Sequence, residues 1–298
     1  MLAKSMAVNA GMMEAMDHHI GRLIEYLREI GEYDNTLFMV LSDNGPEPNR
    51  PTDHRMFKPW MKLTGYHRDY DTLGEKGSFV FIGPEFASAA ASPGAFFKFY
   101  AGEGGMRVPL IVAGPGIEQG VTDAFSFATD ITPTLLELTG TTPAAEVNGR
   151  PLQTFDGRPL HRVLRGEANA VYGPDDVIGM EAMGHAAVFR GDYKLVRNRP
   201  PLGDGEWHLY NIASDPGETS NLAQARPELL AELIDEYAAY KEYAGVLEVP
   251  TGYTPVERMA HATRMRMLQR AAPWLVVGLI VTGGLIMLGL FMRRRKAL

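Results

Sequence analysis

Residues Thr36 to Gly45 read Thr-Leu-Phe-Met-Val-Leu-Ser-Asp-Asn-Gly. An apolar run with no polar alternation predicts a strand covered on both faces. Its closing acid, amide and glycine place oxygen donors beyond the strand's carboxyl end, where open α/β sheets bind ligands. A carboxylate beside an amide suits a hard cation, so Asp43 and Asn44 are candidate ligands for Ca²⁺ or Mg²⁺. The same tripeptide also makes an ordinary turn. Upstream, Met16, Ile20, Leu23, Ile24 and Leu27 recur at helical spacing and predict an amphipathic helix, ended by Gly31 and the Asp34-Asn35 turn. Helix, short turn and buried strand make half of a parallel α/β unit. The expected fold class is therefore α/β, with a partial mixed or parallel sheet flanked by helices.

Residues from about Pro46 to Phe97 read as a long, loop-rich connection with short helical pieces such as His54 to Lys62. A connection of that length is uncommon unless it carries function. His54, His67, Trp60, Tyr66 and Tyr70 lie in it and are either pocket lining or surface. Lys98 follows, just before the turn Gly102-Glu103-Gly104-Gly105, which leads into a second buried strand, Val108 to Ala113. A lysine so placed can hold an anionic group as a point charge, or be solvated as most lysines are. Glu103 and Arg107 flank the turn and suggest an ion pair that fixes it. Asp130 to Leu138 predicts a short helix with Pro133 in its first turn. From about Val171 the pattern changes. Ala186 to Arg190 and Tyr193 to Arg197 form a hairpin around Gly191-Asp192, Trp207 to Asn211 adds a strand, and Pro227 to Tyr243 is a covering helix. His185, just before the first of these strands, reads as structural.

The expected division is an α/β part over 1–165, a small antiparallel sheet with its helix over 166–244, a basic linker over 245–270, a transmembrane helix over 271–292 and a basic tail over 293–298. The span rests on Ala271 to Met292, which carries no charge and is long enough, at about 1.5 Å per residue, to cross a bilayer. Arg293-Arg-Arg-Lys296 follows and favours a cytoplasmic C-terminus. The expected location is thus the membrane, by a single C-terminal span, with an extracytoplasmic (periplasmic) body if the full-length protein is exported. Arg258, Arg264, Arg266 and Arg270 weaken that asymmetry, and Met1 to Leu27 does not read as a secretory signal; a tail anchor with a cytoplasmic body is the rival topology. The absence of cysteine excludes disulfides, thiolate metal sites and a cysteine nucleophile. A net charge of -7 with no basic stripe in the body argues against nucleic acid as a partner.

Several motifs, taken in order, resemble the sulfatase family of the alkaline-phosphatase-like superfamily over roughly Met6 to Ala244. They are Met16-Asp-His-His-Ile-Gly21 with Arg22-Leu-Ile, Leu41-Ser-Asp-Asn-Gly45, Lys98 with Glu103-Gly-Gly-Met-Arg-Val-Pro109, Asp130-Ile-Thr-Pro-Thr, Gly191-Asp-Tyr-Lys-Leu, and Leu209-Tyr-Asn211 followed by Asp215-Pro-Gly-Glu218 and Asn221-Leu222. The resemblance implies that Asp43 and Asn44 are metal ligands, that Lys98 is a catalytic residue contacting the sulfate, and that the substrate is a sulfate ester. The family's nucleophile is a formylglycine made from Cys or Ser in a Cys/Ser-x-Pro-x-Arg motif. Here there is no match: Ser214-Asp-Pro-Gly-Glu218 ends in the wrong residue. The family's early pair of acids and its upstream lysine and histidine sites would precede Met6. The chain thus resembles the C-terminal portion of a sulfatase, active only if the other half is supplied. Such a truncated sheet would expose an apolar edge. Two alternatives stay open. One is a related phosphodiester or phosphonate hydrolase, against which Asn44 in place of His leans. The other is a non-catalytic, membrane-tethered remnant that binds a partner or sulfated ligand.

Overall fold

The computed structural model describes residues 1–250 and, beyond them, 252–253, 258, 261–262, 264–274 and 280–283. The helical spacing near the N-terminus produces α1 (Leu2–Glu29). A short turn leads into β1 (Phe38–Leu41). The long connection is less irregular than expected, since it holds α2 (Phe57–Thr64), ended by Gly65 in the left-handed region, and α3 (Gly83–Ala91). The glycine-rich turn closes into one helical turn, α4 (Glu103–Met106), before β2 (Leu110–Ala113).

β1 and β2 make a two-stranded antiparallel sheet, with Phe38 opposite Ala113 and Leu41 opposite Leu110. This corrects the expectation of buried strands in a parallel or mixed sheet. Every residue of both strands is apolar, yet none is buried.

Next come α5 (Ile131–Thr139), the small hairpin of β3 (Glu146–Val147) and β4 (Arg150–Pro151), and α6 (His161–Leu164). The C-terminal sheet runs β5 (Val177–Ala182), β6 (His185–Arg190), β7 (Tyr193–Arg197), β8 (His208–Asn211), all antiparallel and in sequence order. It is followed by α7 (Pro227–Ala244).

Alternation along β6 and β7 separates two cores. Ala186, Val188 and Leu195 join Leu209 in facing Leu233 and Tyr237 of α7. Ala187, Phe189 and Val196 face Ala101, with Met106 and Phe125 packed beside them. The sheet is therefore covered on both sides, by the helix and by the segment that carries the glycine turn. Its extra strand, β5, is crossed so closely by α7 that a Cβ at Gly179 would lie 2.1 Å from the Tyr240 ring.

Residues Met1–Asn198 with Gly205–Val246 form one unit, and Arg199–Asp204 with Leu247–Leu298 a second. Among the described residues no helix is long and apolar enough to cross a membrane. This overturns the transmembrane helix expected over 271–292 and the membrane location built on it. The described part of that stretch is 271–274 and 280–283, and the rest lies outside the described residues.

Candidate functional site

The chain leaves β1 at Leu41 and turns sharply at Gly45. A Cβ there would lie 1.9 Å from the Gly104 carbonyl oxygen, so only glycine fits. The turn is held across the site: Gly45 N–H donates to the Gly105 carbonyl at 2.8 Å. Within it, Ser42 Oγ donates to the Asn44 carbonyl at 2.9 Å and Asn44 Nδ2 to the Gly45 carbonyl at 2.9 Å. The amide nitrogen is thereby committed to the backbone, which leaves Asn44 Oδ1 as the oxygen available to a ligand. Asp43 is exposed beside it.

Lys98 belongs to the same cluster. Its N–H donates to the Pro46 carbonyl at 3.2 Å, and its Nζ lies 3.1 Å from Glu47 Oε2. Two phenylalanines bracket it in the left-handed region, Phe96 at φ 63° and Phe99 at φ 84°. Such backbone costs on the order of 1–3 kcal/mol per residue and gathers at functional loops. The structure thus brings Asp43, Asn44 and Lys98 into one loop cluster. Glu47 was not singled out in the sequence; it is one acid in a Pro-rich turn, and only its pairing with Lys98 marks it.

The Gly102–Gly105 turn is wholly buried. The expected pair is there in weak form, with Arg107 3.8 Å from Glu103 and more than half exposed. The closer partner comes from β7: Lys194 Nζ sits 2.8 Å from Glu103 Oε1 and 2.9 Å from Glu218 Oε1, with Lys194 0% exposed. Glu103 N–H also donates to Glu218 Oε2 at 2.8 Å, and Ala101 N–H to Asn198 Oδ1 at 2.8 Å. Burial raises the Glu218 carboxyl above its ordinary range, against the pull of Lys194.

The other candidates serve the fold. His67 is 3.4 Å from Asp69 and is tied by its backbone to Gly77. Trp60 and Tyr66 stack on each other at 5.7 Å, in a cluster with Phe57 and Phe79. Lys4 sits over the Tyr70 ring. His54 closes a single 3₁₀ turn. His185 is buried against Tyr100, with ring centroids 4.6 Å apart.

Asp43 and Asn44 supply two hard oxygen donors, which fit part of a Ca²⁺ or Mg²⁺ shell. Such shells take six or more oxygens, and among the described residues no group of three His, Asp or Glu is placed to hold a metal. The residues present fit a share of the shell only.

Two family descriptions match. One, the sulfatase family, matches residues 3–141; the other, N-sulphoglucosamine sulphohydrolase C-terminal, matches residues 93–241. An uncharacterized sulfatase of Schizosaccharomyces pombe is 33% identical over 255 residues, covering 84% of this chain and 46% of that protein. An arylsulfatase of Klebsiella aerogenes is 35% identical over 164 residues, covering 54% of this chain and 35% of that protein. The chain therefore spans less than half the length of these relatives. The solved structure of Ps i-CgsB in complex with k-i-k-neocarrahexaose shares the fold at a TM-score of 0.53 and 24% identity, over 78% of this chain and 42% of that one. From the strand end at Asp43 to the sheet that carries Lys194, this chain belongs to the sulfatase family.

Proposed function

We propose that this chain forms the C-terminal share of an active site for metal-dependent sulfate ester hydrolysis. The observation that supports it is the joining of the Asp43-Asn44-Gly45 strand end to the Lys98 loop through the Lys98–Pro46 and Gly45–Gly105 hydrogen bonds. In this reading Asp43 and Asn44 Oδ1 hold one side of a Ca²⁺ or Mg²⁺ ion. The ion, when bound, polarises a sulfate oxygen as a Lewis acid. Lys98 binds the sulfate. In the free chain its ammonium rests on Glu47, an exposed pair worth roughly 0–1 kcal/mol, so an incoming sulfate displaces the carboxylate at little cost. The positive charge then stabilises the negative charge of the transferring group.

The chain has no cysteine and no Ser-x-Pro-x-Arg, so the nucleophile comes from the first half of a sulfatase domain. The test is hydrolysis of a chromogenic aryl sulfate, with and without Ca²⁺ or Mg²⁺, by the chain alone and with that half supplied. Expected are no turnover by the chain alone and metal-dependent turnover by the pair, lost in Asp43→Ala and Lys98→Ala. Turnover by the chain alone would overturn the nucleophile argument, and turnover indifferent to both substitutions would overturn the site.

A further inference from the structure

The carboxylate beside Lys98 is fixed by its own loop. Glu47 stands between Pro46 and Pro48; the proline after it keeps its backbone out of the helical region, and the one before it has a locked φ. The side chain is tied as well. Its Oε1 accepts the Asn49 N–H at 3.1 Å, and its Oε2 faces Lys98 Nζ at 3.1 Å. One oxygen is thus held by the turn while the other meets the ammonium.

Lys98 is held to the same loop from the other side. Its N–H donates to the Pro46 carbonyl, and its Nζ lies 5.5 Å from the centre of the Phe99 ring. The ammonium therefore has a carboxylate and an aromatic face as neighbours. An exposed lysine–glutamate pair adds little to stability, so the pair's larger effect is on the charge that a ligand meets at Lys98.

We infer that Glu47 is a specificity-determining residue, which selects singly charged sulfate esters against doubly charged phosphate monoesters. This rests on the functional reading above, in which Lys98 binds the anion. A sulfate monoester carries one negative charge, whereas a phosphate monoester carries close to two at neutral pH. An isolated ammonium attracts the second ligand about twice as strongly as the first. A carboxylate beside that ammonium cancels the advantage, because it repels the extra charge as the lysine attracts it. Two unit charges about 4 Å apart in water interact by an amount equal to roughly fivefold in affinity, which sets the scale of the selection. When Lys98 turns to a bound anion, Glu47 loses the ammonium but keeps the Asn49 N–H, so its charge stays beside the ligand.

The test is binding to the full chain, without turnover, of three probes: an aryl sulfate, the corresponding aryl phosphate, and an aryl methyl phosphate, a diester that carries one charge. Titrations followed by the Lys98 amide and side-chain resonances compare wild type with Glu47→Gln. The amide keeps Oε1 for the Asn49 N–H and removes only the charge, and Asp43 is the same in both proteins and cancels in the comparison. Glu47→Gln is expected to tighten all three, and to tighten the aryl phosphate about fivefold more than the aryl sulfate. The diester should follow the sulfate. Equal tightening of all three probes overturns the inference, as does a diester that follows the phosphate. Weaker binding in Glu47→Gln also overturns it and makes Glu47 a residue that orients the ammonium. Lys98→Ala separates this from the functional reading. Loss of binding in Lys98→Ala with an unchanged ratio in Glu47→Gln rejects the selection alone. Binding that survives Lys98→Ala, or none in wild type, rejects the anion site and the selection together.

Discussion

Lys194 of β7 is wholly buried with its ammonium 2.8 Å from Glu103, at the start of the turn that packs against the Asp43 strand end. Glu218 is the third member, so one buried cation is shared by two buried carboxylates, with the exposed Arg107 a distant second partner of Glu103. Lys194→Met leaves Glu218 without a cation and Glu103 with only the exposed Arg107, and is expected to cost about 3–5 kcal/mol, a fall in melting temperature of roughly 10 °C or more. Calorimetry of the full chain checks it.

Glu218→Gln takes the opposite course, because it removes the surplus charge and keeps a polar group. Its folded carboxyl lies above the ordinary 4.5. The folded state therefore binds the proton more readily, and Glu218 weakens stability as pH rises from about 4.5 through its folded value. Wild type should lose stability relative to Glu218→Gln across that rise. Denaturant melts at several pH values decide it; a difference that grows toward low pH would refute the assignment.

Gly45→Ala tests how the site is built. Its Cβ would meet the Gly104 carbonyl, which is backbone and has no flexible end to move aside. The expected result is loss of the Gly45–Gly105 hydrogen bond and a penalty of about 1–3 kcal/mol. Faster exchange at the Gly45 amide than elsewhere in the chain would localise it.

Asp130 is 0% exposed and accepts hydrogen bonds from Phe127 N–H, Arg158 N–H and the Tyr172 hydroxyl. Asp130→Ala leaves three donors without an acceptor and is expected to cost about 2–4 kcal/mol. Burial, then the bond to Asp130, raises the Tyr172 phenol above its usual range. In Asp130→Ala its titration, followed by ultraviolet absorbance, should move back down.

Asp176 accepts from both ends of the Arg158 guanidinium, which holds its carboxyl at about 2 against an ordinary 3.8. A lowered folded value means that the stabilisation is present above 3.8 and disappears as pH falls toward 2. Asp176→Asn should flatten the acid limb of the stability curve in that window, and identical limbs would refute it.

The legible parts of the chain were those with local signals. The spacing in α1, the Gly191-Asp192 hairpin and the Asp43-Asn44-Gly45 strand end each depend on neighbours a few residues apart. β5 was missed because Gly179 interrupts its pattern, and that glycine answers to Tyr240, which is remote in sequence. Glu103 was assigned to Arg107, the cation nearest in sequence, when its buried partner is Lys194. Strand direction failed for a related reason. An apolar run predicts burial on both faces but carries no signal for direction, and β1 and β2 pair antiparallel with no buried residue.

The ion cluster also sets an order of events during synthesis. Glu103 leaves the ribosome 91 residues before Lys194, an interval of roughly 5–20 s at ordinary elongation rates. Glu218 follows 115 residues after Glu103. Throughout that interval the glycine turn has only the exposed Arg107 as a cation for its carboxylate, and the buried partner is still to come. The buried cluster that fixes the turn beside Asp43 and Lys98 can close only after Lys194 and Glu218 have been made.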